Sequence, residues 1–234
     1  MNNCNTVHME IREDIPNVKK TIYSIYIKRL LDVFFSALAI IVLGPLLLVI
    51  TVLELVFHGP PILYIDKRPG LNGKIFSLYK FRSMSNQTDS SGKLLHPSKR
   101  ITPFGRLLRR TSLDELASLF NILNGSMSII GPRPLMLDYL PLYNKRHKYR
   151  HSVRPGLACW PIDGNHKLTS KSWTWNIQFE SDIYYVENVS FLLDVRMLLK
   201  TFVIIFSKSE MRTNSDRVKF DGKNLNETRP RHKI

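Results

Sequence analysis

Residues 33–53 read VFFSALAIIVLGPLLLVITVL, twenty-one positions without a charge, bounded by Lys28, Arg29 and Asp32 on one side and Glu54 on the other. As a helix such a run measures about 30 Å, the depth of one hydrocarbon core, so the segment is expected to be membrane-embedded. It starts too late and runs too long for a cleavable signal, and no small-residue cleavage site follows it. Gly44-Pro45 stands near its centre, where proline withdraws an N–H and its ring meets the preceding turn. Two readings stand side by side, a kinked single span and a re-entrant helix-break-helix. Lys19, Lys20, Lys28 and Arg29 before the run, and Lys67, Arg68, Lys74, Lys80 and Arg82 after it, favour the cytoplasm for both ends, which the re-entrant form satisfies. Proline is nonetheless tolerated in spanning helices, which keeps the other reading open.

The rest of the 234-residue chain is mixed. Lys and Arg number 34 against 19 Asp and Glu, a formal charge of +15 that calls for a polyanionic partner or surface. With 44% hydrophobic and 23% charged residues, and a mean hydropathy of −0.12, neither a wholly disordered chain nor a multi-span transporter fits. Cys4 and Cys159 are too few for a disulfide framework or a four-ligand zinc site, so a reducing compartment is expected. The basic residues cluster beside the apolar run and no nucleic-acid-binding signature accompanies them, which places nucleic acid behind lipid headgroups and phosphorylated substrates.

Beyond the apolar run, residues 62–65 and 75–82 are expected to pair as a hairpin around the basic turn 67–74, and polar residues 86–99 form a surface loop. Phe104-Gly105-Arg106-Leu107-Leu108-Arg109-Arg110 reads as a basic, part-apolar helix. Ser112 followed by Glu115 reads as a capping box opening a second helix over Leu116, Leu119, Phe120 and Leu123, closed by Asn124-Gly125. On that reading Asp114 and Glu115 serve the helix end alone. The same geometry, flanked by Arg106, Arg109 and Arg110, also favours an ionised carboxylate beside a phosphate, with Asp114 as nucleophile. Gly131-Pro132-Arg133-Pro134 and Val153-Arg154-Pro155-Gly156 each fix an arginine beside proline, where a forked guanidinium is aimed in advance. His147 and His151 have metal-ligand spacing, but amid Lys145, Arg146, Lys148 and Arg150 a solvated basic helix face is the expected reading. Residues 192–206 suit an interfacial amphipathic helix and a packed core helix equally, and the basic residues 207–234 read as a flexible tail.

Lys28-Arg29-Leu30-Leu31-Asp32, the Gly44-Pro45 break, Arg68-Pro69-Gly70, Lys80-Phe81-Arg82-Ser83-Met84, Ser112-Leu113-Asp114-Glu115-Leu116, Gly131-Pro132-Arg133-Pro134 and Arg154-Pro155-Gly156 come in the order and spacing of the bacterial sugar transferases. From about Lys28 to Phe206 the chain resembles a small monotopic polyprenol-phosphate phosphoglycosyl transferase. The resemblance implies an α+β, predominantly α-helical monotopic membrane protein. Its parts are a leader over residues 1–27, a re-entrant helix over 28–57 broken at Gly44 and Pro45, a catalytic domain over 58–206 with a small β-hairpin and interfacial amphipathic helices, and the tail.

The resemblance also implies chemistry. Asp114 attacks the sugar-bearing phosphorus of a nucleotide diphosphate sugar, expected to be a UDP-sugar, releases UMP and holds a phosphosugar covalently. Undecaprenyl phosphate then accepts it, as the first membrane step of exopolysaccharide, capsule, O-antigen or glycoprotein glycan assembly. Glu115 assists proton transfer, Mg²⁺ sits beside Asp114, and Arg109 and Arg133 contact phosphate, with Lys80, Arg82 and Arg154 as weaker candidates. The implied setting is the cytoplasmic face of the bacterial inner membrane, against an anionic bilayer, with room for a homodimer. A non-catalytic polyprenol-phosphate or anionic-lipid binding protein is the rival reading. Two departures from the family pattern stand out: Ala117 where proline is usual, and the stretch 157–167, which lacks the usual Gly-Arg and puts donor recognition in question.

Overall fold

A computed structural model describes residues 12–159, 174–206 and 219–226. A π-helical turn, Tyr23–Ile27, runs directly into α1 (Lys28–Val42), and α2 (Gly44–His58) follows. The junction is Leu43, at φ −87° and ψ 1°, and the two arms bend by 64°. Pro45 therefore sits in the first turn of α2, where its missing N–H has no intrahelical partner to lose. Among the described residues no single helix is long and apolar enough to cross a membrane. The outer faces of the bent pair expose Phe34, Phe35, Leu38, Ile41, Val42, Leu48, Val49, Val52, Val56 and Phe57.

The inner faces carry the hairpin and the turn that holds the acid pair. β1 (Leu63–Pro69) and β2 (Ile75–Phe81) pair antiparallel in the register Leu63 to Phe81 and Pro69 to Ile75; the hairpin is the expected one, but Lys67, Arg68 and Pro69 belong to the strand rather than to the turn. A short helix α3 (Pro97–Arg100) precedes α4 (Pro103–Thr111), which Thr102 caps by accepting the Gly105 N–H at 2.9 Å. A 3₁₀ turn, Leu113–Ser118, leads into α5 (Leu119–Leu123). Ile50 of α2 packs with Phe81, Leu108 and Ala117, while Ala39, Ile40 and Leu43 cover Leu78, Leu119 and Ile122. Both arms of the bent pair thus form one wall of the core beneath the turn.

β3 (Ser128–Ile130) and β4 (Gly156–Ala158) pair in parallel, and α6 (Trp175–Asn188) and α7 (Phe191–Phe206) close the fold. α7 buries Asp194 and Met197 but exposes Phe191, Leu192, Leu198, Leu199, Phe202 and Val203, so it is packed on one face and apolar on the other.

Two expectations are corrected. The basic segment around His147 is not a solvated face: Arg146 is 1% exposed and meets Glu180, Asp14 and Glu187, Arg150 pairs with Asp182 at 2.7 Å, and both histidines are buried. Buried arginines stay charged, so each drew a carboxylate from a neighbouring segment. In the leader, Asp14 reaches Arg146 and Tyr23 donates to Asp194 at 2.6 Å. In the supposed flexible tail, Phe220 and Leu225 lie in an aromatic cluster with Tyr139, Tyr143, Trp175 and Phe179. Most of the unusual stretch 157–167, with Trp160 and Trp173, lies outside the described residues, as do residues 207–218 and 227–234 of the tail.

Candidate active site

Asp114 and Glu115 sit where α4 stops. Ser112 adopts the left-handed conformation at φ 58° and turns the chain into the 3₁₀ segment. The expected capping box does not form: the Ser112 side chain caps nothing, and the Glu115 carboxylate points instead to two cations. Lys80 of β2 donates to Glu115 Oε1 at 2.8 Å, and Arg133 donates to the same oxygen at 3.1 Å. A charge-assisted pair outweighs a neutral cap.

Three supports fix this constellation. On the β2 edge, the Asn121 side chain behaves as a neighbouring strand: Oδ1 accepts the Tyr79 N–H at 2.9 Å and Nδ2 donates to the Ser77 carbonyl at 2.7 Å. Ser118 Oγ adds a bond to the Tyr79 carbonyl at 3.0 Å, so the acid-bearing turn is stitched to the strand that carries Lys80. Behind Arg133, buried Arg150 donates from Nη2 to the Arg133 carbonyl at 2.7 Å, and its partner Asp182 is itself bonded by Gln178 at 3.1 Å. On the α4 side, Gly105 lies so close to Ser83 that a β-carbon there would stand 2.0 Å from its carbonyl oxygen. That approach lets Arg109 Nε donate to Ser83 Oγ at 2.8 Å.

The neighbouring carboxyls are driven apart. Burial would lift Glu115, but Arg133 and Lys80 overcome it and hold the group at about 2. Asp114 is raised above the ordinary carboxylate range, by burial first and then by the charge of Glu115, with Lys80 and Arg109 opposing. Among the described residues no side chain donates a hydrogen bond to the Asp114 carboxylate. Arg133 also meets the Cys159 thiol, which burial raises above its usual value.

Asp114, Glu115, Lys80, Arg109 and Arg133 are thus brought together, and two candidates are not. Arg82 is buried and spends its guanidinium on the His58, Gly59 and Pro60 carbonyls, closing the end of α2. Arg154 donates to the Gly125 carbonyl at 2.9 Å, beyond the far end of α5. Burial, then Arg150, lowers His151 to about 4, so it is neutral at neutral pH, and no group of three or more potential metal ligands gathers among the described residues. The sequence alone gives the supports Asn121, Ser118, Arg150 and Asp182 no role, although Ser118 and Asn121, the two polar residues within the apolar pattern of residues 116–123, are a visible signal.

Comparison with known proteins gives this arrangement a setting. The family model for bacterial sugar transferases matches residues 23–208. The chain is 44% identical to the protein of Bacillus subtilis named uncharacterized sugar transferase EpsL, over 67% of this chain and 76% of that one. It is 33% identical to the UDP-N-acetylgalactosamine-undecaprenyl-phosphate N-acetylgalactosaminephosphotransferase of Aeromonas hydrophila, over 78% of this chain and 44% of that one. It is 35% identical to the UDP-glucose:undecaprenyl-phosphate glucose-1-phosphate transferase of Xanthomonas campestris, over 80% of this chain and 40% of that one. The matched region therefore spans less than half the length of the latter two proteins.

Proposed function

Because the chain belongs to the bacterial sugar transferase family, we propose that it is a phosphoglycosyl transferase, moving a sugar 1-phosphate from a UDP-sugar to undecaprenyl phosphate as an early step of polysaccharide assembly. The observation that carries this reading is the inequality of the acid pair. Glu115 is paired with both Lys80 and Arg133 through its Oε1, whereas Asp114 is kept more basic and, among the described residues, free of side-chain donors. The more basic carboxylate is the stronger nucleophile. An Asp114 oxygen attacks the sugar-bearing phosphorus, the bond to the bridging oxygen breaks, and UMP leaves with the electron pair. An oxygen of undecaprenyl phosphate then attacks the same phosphorus, its bond to Asp114 breaks, and the carboxylate is restored. Lys80, Arg109 and Arg133 supply fixed positive charge where the diphosphate arrives. Glu115, held at about 2, is a poor proton acceptor at neutral pH; its part is to aim Lys80 and Arg133, rather than the proton transfer that the resemblance implies.

Mg²⁺ commonly takes one or two carboxylates and completes its shell with phosphate oxygens and water, so a single uncommitted carboxylate, Asp114, fits an ion that arrives with the donor. There it would neutralise the diphosphate. The apolar outer faces of the bent pair and of α7 support burial in one leaflet on the cytoplasmic side, since each such side chain costs about 1.5–3 kcal/mol when left in water. On this reading the acid pair lies at the depth of a lipid phosphate.

The test is intact-mass measurement of the detergent-solubilised chain incubated with UDP-sugars and Mg²⁺ without lipid. We expect a phosphosugar adduct that is absent in Asp114→Asn, while that variant keeps the wild-type circular dichroism. An undiminished adduct in the variant eliminates Asp114 as the nucleophile.

A further inference from the structure

Arg29, the second residue of α1, and Arg154, in the Arg-Pro-Gly loop ahead of β4, meet on Gly125. Arg29 donates from Nη1 to the Ile122 carbonyl at 2.6 Å and from Nη2 to the Leu123 carbonyl at 2.9 Å. Its Nη2 lies 3.1 Å from where a β-carbon on Gly125 would stand, and Gly125 itself has φ +89°. Arg154 approaches from the other side, with Nε 2.9 Å from the Gly125 carbonyl. Two guanidiniums therefore converge on the exposed end of α5, and among the described residues neither is paired with a carboxylate. Asp32, the acid whose field reaches Arg29, is occupied by the Ile129 N–H at 2.9 Å. Backbone carbonyls use two of the N–H donors of Arg29 and one of those of Arg154, so among the described residues most remain unspent.

Like charges held together in this way repel, and an oxyanion between them satisfies both forks. Burial, and then the charge of Arg154, already pulls the Arg29 guanidinium below its ordinary range. The surroundings are apolar: Leu30, Phe120 and Leu123 are exposed, and α1 continues to exposed Phe34, Phe35 and Leu38. An anion site with hydrocarbon walls suits a phosphate carried on a long chain better than a free nucleotide. We propose that Arg29 and Arg154 form a binding site for a lipid-borne phosphate at the foot of the bent helix pair, apart from the acid pair. This site rests on the membrane placement argued above.

The test is arginine modification by butanedione on the full chain in neutral detergent, mapped by peptide mass and normalised to exposed Arg12. Undecaprenyl phosphate, phosphatidylglycerol and inorganic phosphate are added in separate arms at matched phosphate. We expect at least fivefold slower modification of both Arg29 and Arg154 with lipid and no slowing with inorganic phosphate. Stronger protection by undecaprenyl phosphate than by phosphatidylglycerol at matched phosphate assigns the site to an acceptor held before its phosphate moves to Asp114, and equal protection assigns it to bilayer headgroups; both support a lipid-borne phosphate. Equal protection by inorganic phosphate, or none by either lipid, overturns the proposal. The protection is expected to persist in Asp114→Asn. Failure of adduct formation in the wild type then speaks against the proposed reaction, and failure of protection against this site.

Discussion

Asp114 and Glu115 share a turn yet titrate in opposite directions, and the sign of each has a consequence for stability. Glu115 falls from 4.5 to about 2 on folding, so its contribution is fully present above pH 4.5 and is lost as the pH drops through about 2, worth about 3 kcal/mol. Asp114 is raised, so the folded state holds its proton more tightly, and its contribution declines as the pH rises above 3.8. Glu115→Gln should therefore flatten the acid side of the stability curve, narrowing the difference in urea midpoint between pH 3 and pH 6; an unchanged slope would contradict the Lys80–Glu115–Arg133 assignment. The identity of the acid pair was legible from Ser112-Leu113-Asp114-Glu115-Leu116, but the direction of each side chain was not. A capping box and a two-cation clamp make the same local sequence, and the choice lay with Lys80 and Arg133, 35 and 18 residues away.

At the scale of elements, the acid-bearing turn owes its place to side chains that imitate a strand. Removing the Asn121 amide leaves the Tyr79 N–H and the Ser77 carbonyl without partners, at an expected cost of about 2–3 kcal/mol. Asn121→Ala should lower the thermal midpoint and, in whatever remains folded, slow adduct formation, because Glu115 loses its register against Lys80. An unchanged midpoint with undiminished turnover would remove Asn121 from this role. The helices and the hairpin were readable because their periodicity and turns are local: residues 75–82 and 104–110 anticipate β2 and α4 to within a residue or two. The segment around His147 was misread because a run of Lys and Arg looks alike whether it faces water or carboxylates from elsewhere. Only Glu180 and Asp182 on α6, together with Asp14, separate the two.

For the whole molecule, the re-entrant reading proposed for the 64° bend at Leu43 carries a topological expectation. Cysteines placed at Lys19→Cys, before the bent pair, and Lys93→Cys, in the loop after it, should both react with an impermeant maleimide from the cytoplasmic side of oriented vesicles, and from that side alone. Labelling from opposite sides would make the pair a kinked span and lift the acid pair's neighbourhood out of the proposed plane. The sequence left span and hairpin open because proline permits either, and the packing of both arms on one core, Ile50 on Phe81 and Leu108, Ala39 and Leu43 on Leu119 and Ile122, is compatible with the re-entrant form. The stretch carrying Phe220 and Leu225 bears on how the protein is to be handled. A shortened version ending ahead of Phe220 uncorks the rings of Tyr139, Trp175 and Phe179, and should come out of the cell sticky and poorly soluble even though every residue of the acid pair is intact.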